Sequence, residues 1–516
     1  MNADINDATV NFWQNLPEYH LMMFQLAAAQ LRTGVAYSSA LVKYHQEFMQ
    51  PFWIALDAFL TTEKEKFLRH PPADSMRDYF ELLQFNLQVA EQSANSGLQA
   101  MLGYHVDRAD RAMQAWLNTL FKRDGETIVD FTENEARLLE TILHTYPEAI
   151  RAIKPEFGFH FEDGGYVKAG ETDSFLLYQV LPTNSEAVRE NGKPVLILPP
   201  YVLGANILAF LPGENKSYVH AYANQGIPTY IRILKDIAAT PAVQTLTGEQ
   251  DALDTRTFCE ILKKRHGQPV TLNGFCQGGL VAMTGLLSGE LDGLADALIN
   301  CVAPMDGTRS KALVEYMQHL PARFRDLGYA VKPLSNGNRV VDGKVMSWVY
   351  KLKSMEKEAP LYTLYRDLKI FGNSNGAVKI SKTAAAINHW LLYDRNDLPE
   401  AITKMSFDSY TVPVDRDGNL PVKLFERSLN FKRLQEKNIP LLICYGGEDD
   451  LVDKEAALAP LDYIPAEVTC FPKGHGAIAT SWSNPNSACA LHSRFGDNYR
   501  GPVRFHLDLE NDRQGE

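Results

Sequence analysis

The stretch Pro269-Val270-Thr271-Leu272-Asn273-Gly274-Phe275-Cys276-Gln277-Gly278-Gly279 decides how this chain is read. Pro269–Phe275 is predicted to be a short strand, and Leu280–Ser288 the helix that follows it. Between them, Gly274-Phe275-Cys276-Gln277-Gly278 has the G-x-nucleophile-x-G form of a nucleophile elbow, with Cys in place of Ser. A nucleophile on so tight a strand-to-helix turn needs flanking positions without clashing side chains. A Cys at a helix N-terminus also gains from the helix dipole, which favours thiolate over thiol. Taken alone, the pattern fits a buried Cys beside a glycine-rich turn equally well, so the rest of the chain has to decide.

At 516 residues the chain exceeds one ordinary core, and two or three structural units are expected. Hydrophobic content of 45% and charged content of 22% are those of a globular protein. A net charge of −12 excludes a general nucleic-acid binder, which needs a basic footprint. The six cysteines, at 259, 276, 301, 444, 470 and 489, show no C-x-x-C spacing, so no metal site is expected. Their scatter through apolar segments points to reduced thiols and a cytoplasmic setting. The acidic start, Met1 to Asp7, lacks a signal-peptide layout, and no apolar run approaches the ~20 residues that cross a bilayer.

Residues 1–150 are expected to form an N-terminal helical domain. Tyr19–Gln46, Glu81–Met101 and Asp107–Phe121 carry apolar residues at helical spacing, with a break at His70-Pro71-Pro72. Phe12, Trp13, Leu16, Tyr19, Met22 and Met23 make a large apolar face, which suits core packing or docking on a hydrophobic body or second subunit. From about 155 the pattern changes to short apolar runs: Phe175–Leu181, Pro194–Leu198, Ile227–Ile233, Val270–Phe275, Ala297–Val302, Leu441–Tyr445 and Glu467–Phe471. Helical segments such as Asp251–His266 separate most of them, which implies a mostly parallel, doubly wound α/β sheet. Residues 151–305 and 433–500 are assigned to that core, 306–432 to an inserted cap or lid, and 501–516 to a charged tail. Ligands of such sheets bind at the carboxyl ends of the strands, where Cys276 falls.

An elbow nucleophile needs a base and a group that orients the base, in the chain order nucleophile, acid, His. The run after Leu441–Tyr445, Gly446-Gly447-Glu448-Asp449-Asp450, offers Asp449 as the acid and Asp450 as the alternative. After Glu467–Phe471, Gly474-His475-Gly476 places a His in a loop free to reach the elbow. For the oxyanion hole, the Gln277 N–H is one donor. Pro199 and Pro200 lack N–H groups, so Tyr201 or Val202 is expected to supply the second.

On these residues the chain resembles the polyhydroxyalkanoate synthase family. The match runs through Val195-Leu196-Ile197-Leu198-Pro199-Pro200-Tyr201, Asn206-Ile207-Leu208, the Gly274–Gly279 elbow, Gly447-Glu448-Asp449 and Gly474-His475, within about residues 155–490. The resemblance implies an α/β-hydrolase core with a Cys-Asp-His triad of Cys276, Asp449 and His475. It also implies transfer of a 3-hydroxyacyl group from coenzyme A, a substrate here rather than a resident cofactor, to a growing polyester. Two departures stand out. The family carries His directly after the acid, where this chain has Asp450, and the family's tryptophan is missing around Tyr230–Lys235.

Three functions from different classes are therefore open. An acyltransferase would resolve the acyl-enzyme with a hydroxyl. A polyester depolymerase or thioesterase would resolve it with water. A granule-coating protein would keep the fold without catalysis, its helices doing the work. Presence of all three triad positions disfavours the last. The expected partners are hydroxyacyl-CoA and polyester, with a granule surface, a phasin-like protein or a second copy on residues 1–150.

Overall fold

Short runs of Val, Ile and Leu bury best as strands covered on both faces. The computed structural model describes residues 2–66, 71–184, 187–188, 190–311, 314, 317–318, 320–352, 359–372, 380–471 and 473–481. It gathers these runs into one eight-stranded sheet. The strands are β1 (Tyr166–Glu171), β2 (Phe175–Val180), β3 (Val195–Leu198), β4 (Thr229–Leu234), β5 (Val270–Phe275), β6 (Ala295–Cys301), β7 (Leu441–Gly446) and β8 (Glu467–Phe471). Their spatial order is β1-β2-β4-β3-β5-β6-β7-β8. β2 runs antiparallel to β1 and β4, and every other pair is parallel.

β3 and β5 are buried along their whole length. Leu198 pairs with Gly274, Phe275 with Cys301, Cys301 with Cys444, and Gly446 with Phe471. The carboxyl ends of β3, β5, β7 and β8 therefore finish level, each followed by a loop that carries one of the predicted site residues. Helices Gly248–His266 and Gln277–Ser288 pack against β5. This order, with an elbow after β5, is the α/β-hydrolase fold, as the sequence led one to expect.

The chain divides into two compact units. One comprises Met1–Leu56, Leu83–Ala152 and Ser354–Ala385; the other comprises Asp57–Leu82, Ile153–Lys353 and Ala386–Glu516. These limits differ from the segments drawn from sequence: part of the expected insert groups with the helical unit, and residues 57–82 group with the sheet. The remaining insert forms helices, a small sheet of Val331–Pro333, Arg339–Val341 and Leu398–Pro399, and a hairpin of Asn419–Leu424 with Arg427–Asn430. The charged tail, 501–516, lies outside the described residues.

The first helix runs Asn2–Lys66 and the second Pro72–Leu120, both longer than the periodic stretches suggest. No proline falls between residues 73 and 146, so nothing in the backbone stops the second helix at its polar middle. Thr127 caps the next helix, Ile128–Glu140, through a capping box with Asp130. The core of the helical unit joins Ala36, Ala40, Tyr44, Tyr104, Leu139 and Ile142 to Leu364, Leu368 and Phe371. Within it, the Tyr44 hydroxyl donates to Asp367 Oδ2 at 2.5 Å. The side chains of Phe12 and Trp13 lie outside the described residues. No helix among the described residues is long and apolar enough to cross a membrane.

Leu364 is fully buried at the centre of that core. Leu364→Ala is expected to cost about 2–5 kcal/mol in urea unfolding, with the slope unchanged. A cost under about 1 kcal/mol would remove Leu364 from the core assigned to it.

Candidate active site

Cys276 sits at the N-cap of the helix Gln277–Ser288 with φ 52° and ψ −123°. A side-chain-bearing residue rarely holds that conformation, which costs on the order of 1–3 kcal/mol. The surroundings enforce it. The Cys276 N–H donates to the Cys301 carbonyl at 2.8 Å, continuing the β5–β6 ladder into the turn. A Cβ on Gly278 would run into the carbonyl of Leu198 at the end of β3. A Cβ on Gly274 would run into the backbone of Gly279. The G-x-C-x-G spacing is thus a packing requirement: the turn is pressed against β3 on one side and against its own helix on the other.

His475 lies in the loop after β8, with its ring edge-on to Phe275 at 6.0 Å between centroids. Its Nδ1 and Asp449 Oδ2 are 2.8 Å apart, a hydrogen bond in which the ring donates. The other carboxylate oxygen of Asp449, Oδ1, accepts from the N–H groups of Leu451 and Val452, both at 2.9 Å. Burial alone would favour the neutral acid. The charge and hydrogen bond of His475 and the two backbone donors outweigh it and hold Asp449 below its ordinary value. Asp450, the alternative acid, is exposed.

The imidazole shows the opposite balance. Burial would lower its value, but charge on the Cys276 sulfur and then Asp449 raise it to about 10. Nε2, the nitrogen left for Cys276, is buried and makes no hydrogen bond of good geometry at rest. The structure therefore brings Cys276, His475 and Asp449 together at the level ends of β5, β8 and β7. A histidine whose proton affinity is raised between a carboxylate and a cysteine sulfur can deliver a proton to a leaving group and recover it from an incoming nucleophile.

The loop after β3 supplies the third part. The backbone N–H groups of Tyr201 and Val202 both donate to one atom, the side-chain Oε1 of Gln277, at 3.0 and 3.3 Å. Two main-chain donors aimed at a single oxygen, on the residue next to the nucleophile, have the form of an oxyanion hole. The Gln277 N–H, at the first helical position, lacks an acceptor within its own helix. Gln277 Nε2 donates in turn to Ser406 Oγ at 2.6 Å, in the helix Glu400–Thr411 of the insert. A second link from the insert runs from Trp390 Nε1 to the Leu203 carbonyl at 3.0 Å. Sequence reasoning valued Gln277 for its backbone only. Its side chain, Ser406 and Trp390 were not anticipated, and a polar residue between Cys276 and Gly278 was the one local hint.

No protein-family model and no curated protein matches the chain. Solved structures do resemble it. A carboxylesterase of the thaumarchaeon Nitrososphaera gargenis shares 13% identity, covering 61% of this chain and 92% of its own, with a TM-score of 0.34. Carboxylesterase CesB from Bacillus subtilis shares 10% identity over 65% of this chain and 92% of its own, with a TM-score of 0.32. The esterase domain of a Rhodothermus marinus protein shares 14% identity over 63% of this chain and 94% of its own, with a TM-score of 0.31. The fold assignment rests on the strand order, the register and the elbow described above.

Two outcomes follow from this geometry. His475 has its proton affinity raised on folding, so protonation stabilises the fold fully below pH ~6.5, and that stability is lost as the pH rises through about 10. The melting-temperature gap between wild type and His475→Gln should be widest below pH ~6.5 and close towards pH 10; a gap flat across that range would contradict the assignment. Iodoacetamide should label Cys276 ahead of the fully buried Cys259, Cys301 and Cys444. Peptide mapping that finds one of those three labelled first would remove Cys276 as the nucleophile.

Proposed function

We propose that this chain is an enzyme that transfers acyl groups through a thioester formed on Cys276. The observation that carries this reading is the Cys276–His475–Asp449 arrangement on an elbow whose strain the packing maintains. In the first half-reaction the sulfur attacks the carbonyl carbon of an acyl thioester. The tetrahedral oxyanion takes hydrogen bonds from the Gln277 N–H and from Tyr201 or Val202, displacing the Gln277 Oε1 that those loop donors hold at rest. Collapse breaks the carbon–sulfur bond to the donor thiol, which leaves with the proton from His475 Nε2. In the second half-reaction His475 accepts a proton from the incoming hydroxyl, whose oxygen attacks the acyl-enzyme, and the Cys276 sulfur departs. Thiol-to-thiol exchange suits the first step because donor and acyl-enzyme are both thioesters.

The resemblance to polyhydroxyalkanoate synthases supports 3-hydroxyacyl-CoA as donor and the hydroxyl end of a polyester as acceptor, so coenzyme A enters as part of a substrate. The second reading replaces the hydroxyl with water, giving a depolymerase or thioesterase. It is favoured by the exposed Asp450, which stands where the synthases carry His. Under either reading the water-insoluble polymer has to be held close. We assign that to the outward apolar faces of the two long N-terminal helices, where Phe24, Leu31, Leu102 and Val106 are exposed. On this reading the protein works at a polyester granule in the cytoplasm.

Incubation of the full chain with 3-hydroxybutyryl-CoA, followed by peptide mass spectrometry and assays of free CoA, polymer and free hydroxy acid, tests this function. Acyl modification at Cys276 with CoA release is the expected result; polymer identifies a hydroxyl acceptor and free acid identifies water. Neither acyl-enzyme nor CoA release would overturn the acyl-transfer reading for this donor. Asp449→Asn is expected to slow turnover by about 10⁴-fold, as loss of the orienting acid does in serine triads, while Asp450→Asn leaves it nearly unchanged. The reverse pattern would exchange the two roles.

A further inference from the structure

Away from the triad, on the other side of β3, lies a fully buried ion pair that the proposed chemistry does not use. Arg232 of β4 and Asp251 of the helix Gly248–His266 are each about 1% exposed. The guanidinium holds the carboxylate with both arms, Nη1 to Oδ1 and Nη2 to Oδ2 at 2.8 Å each, and Nη1 also donates to Thr255 Oγ1 at 2.7 Å. Its carbon lies 4.5 Å from the ring centroid of Phe175 on β2. A pair this deep has little net stabilising value, because desolvating both ions offsets their attraction. It does fix direction, since a two-armed fork leaves the carboxylate no freedom to rotate.

That direction is used by Tyr201. The Tyr201 hydroxyl donates to Asp251 Oδ2, and its ring stands edge-on to Phe175 at 6.4 Å. The same residue's N–H is one of the two that converge on Gln277 Oε1 beside the nucleophile. A continuous set of contacts thus runs from β4 through Asp251 and the tyrosine ring to the loop donors. Pro199 and Pro200 precede Tyr201 and restrict the loop on its strand side. Anchored at the hydroxyl and stiffened at the prolines, the peptide of Tyr201 cannot swing without breaking a buried, charge-assisted bond.

We infer that Arg232 and Asp251 are positioning residues for acyl transfer: by fixing the Tyr201 side chain they aim the Tyr201 and Val202 N–H groups at the oxygen of the acyl group on Cys276. Neither touches the substrate. This rests on the acyl-transfer reading and adds what sets its oxyanion donors in place.

Tyr201→Phe tests it, because the variant keeps the ring and leaves Asp251 paired with Arg232. Loss of the anchor should lower kcat for CoA release about 10–100-fold with KM little changed, since small displacements of catalytic donors cost factors of that order. Iodoacetamide labelling of Cys276 should keep its wild-type rate, because the thiol and His475 are untouched. Hydrogen exchange in the peptide containing Tyr201 and Val202 should quicken. An unchanged kcat, or a fall in kcat matched by an equal fall in Cys276 labelling, would overturn the inference. If wild type releases no CoA, the proposed function fails on its own, and the exchange measurement then decides the anchoring: quickened exchange upholds it and unchanged exchange rejects it.

Discussion

The strained backbone of Cys276 is the constraint on which the rest of the site depends. A left-handed φ at a residue with a side chain persists only where the surroundings leave no other course for the chain. Here the surroundings are specific: the ladder bond to Cys301, the end of β3 pressed on Gly278, and the folding of the turn on Gly279. The first two depend on the parallel pairing of β3, β5 and β6, with Leu198, Gly274 and Asn300 in register, and the third is local to the turn. A slip of one residue in either pair would reverse the facing of side chains along a strand and remove the carbonyl against which Gly278 packs. The sheet's burial energy therefore holds the geometry of Cys276, and β3, which carries none of Cys276, Asp449 and His475, is as much a part of the candidate site as β5.

Asp449 and Asp251, two buried carboxylates, have partners of different kinds. Asp449 receives two neutral backbone donors on one oxygen and a titratable imidazole on the other. Its environment can follow a proton that comes and goes, because the backbone donors satisfy it in either state. Asp251 is held by a guanidinium that never loses its proton, together with a phenol. Burial and the adjacent Asp251 charge push the Tyr201 phenol well above its ordinary value, so it too stays protonated through the working range. Around Asp251, then, the guanidinium and the phenol that hold the carboxylate both keep their protons. Static groups suit an oxyanion site, whose donors must not reorganise as charge develops.

How much of this was legible in sequence follows from the range of each interaction. β2 to β8 could be read because each is a short run of apolar residues, and the chain order nucleophile, acid, base could be read because each lies just past such a run. β1 could not: Tyr166–Glu171 is an edge strand with several exposed residues, so it lacks the apolar signature. The elbow helix begins at Gln277, three residues before the apolar run at Leu280, because the helix starts at the turn and not at the first apolar residue. Gln277 to Ser406, Trp390 to Leu203 and Arg232 to Asp251 join residues far apart in sequence or on different elements. No local pattern marks a polar residue as belonging to such a pair. Arg232 lies inside the very stretch where the family's tryptophan is missing, and nothing in that stretch foretold a buried cation.

The first two helices of the helical unit bury small and large residues together, Ala40 and Ala115 beside Leu26, Phe52, Phe85 and Val89, while Phe24 is 74% exposed, Leu31 72% and Val106 71%. The inward face joins one core, in which Ala36 and Ala40 pack with Tyr44, Tyr104 and Leu139. The outward face is not a scatter of single apolar residues of the kind any surface carries. Leu98, Leu102 and Val106 recur at intervals of four, and Met113, Trp116 and Leu120 at three and four, the spacing of one helical stripe. Such a stripe stays partly in water when the unit folds, with Leu98 48% and Val106 71% exposed. The rest of its gain in free energy comes on contact with a further apolar surface, and an insoluble polymer, as proposed above, would offer one.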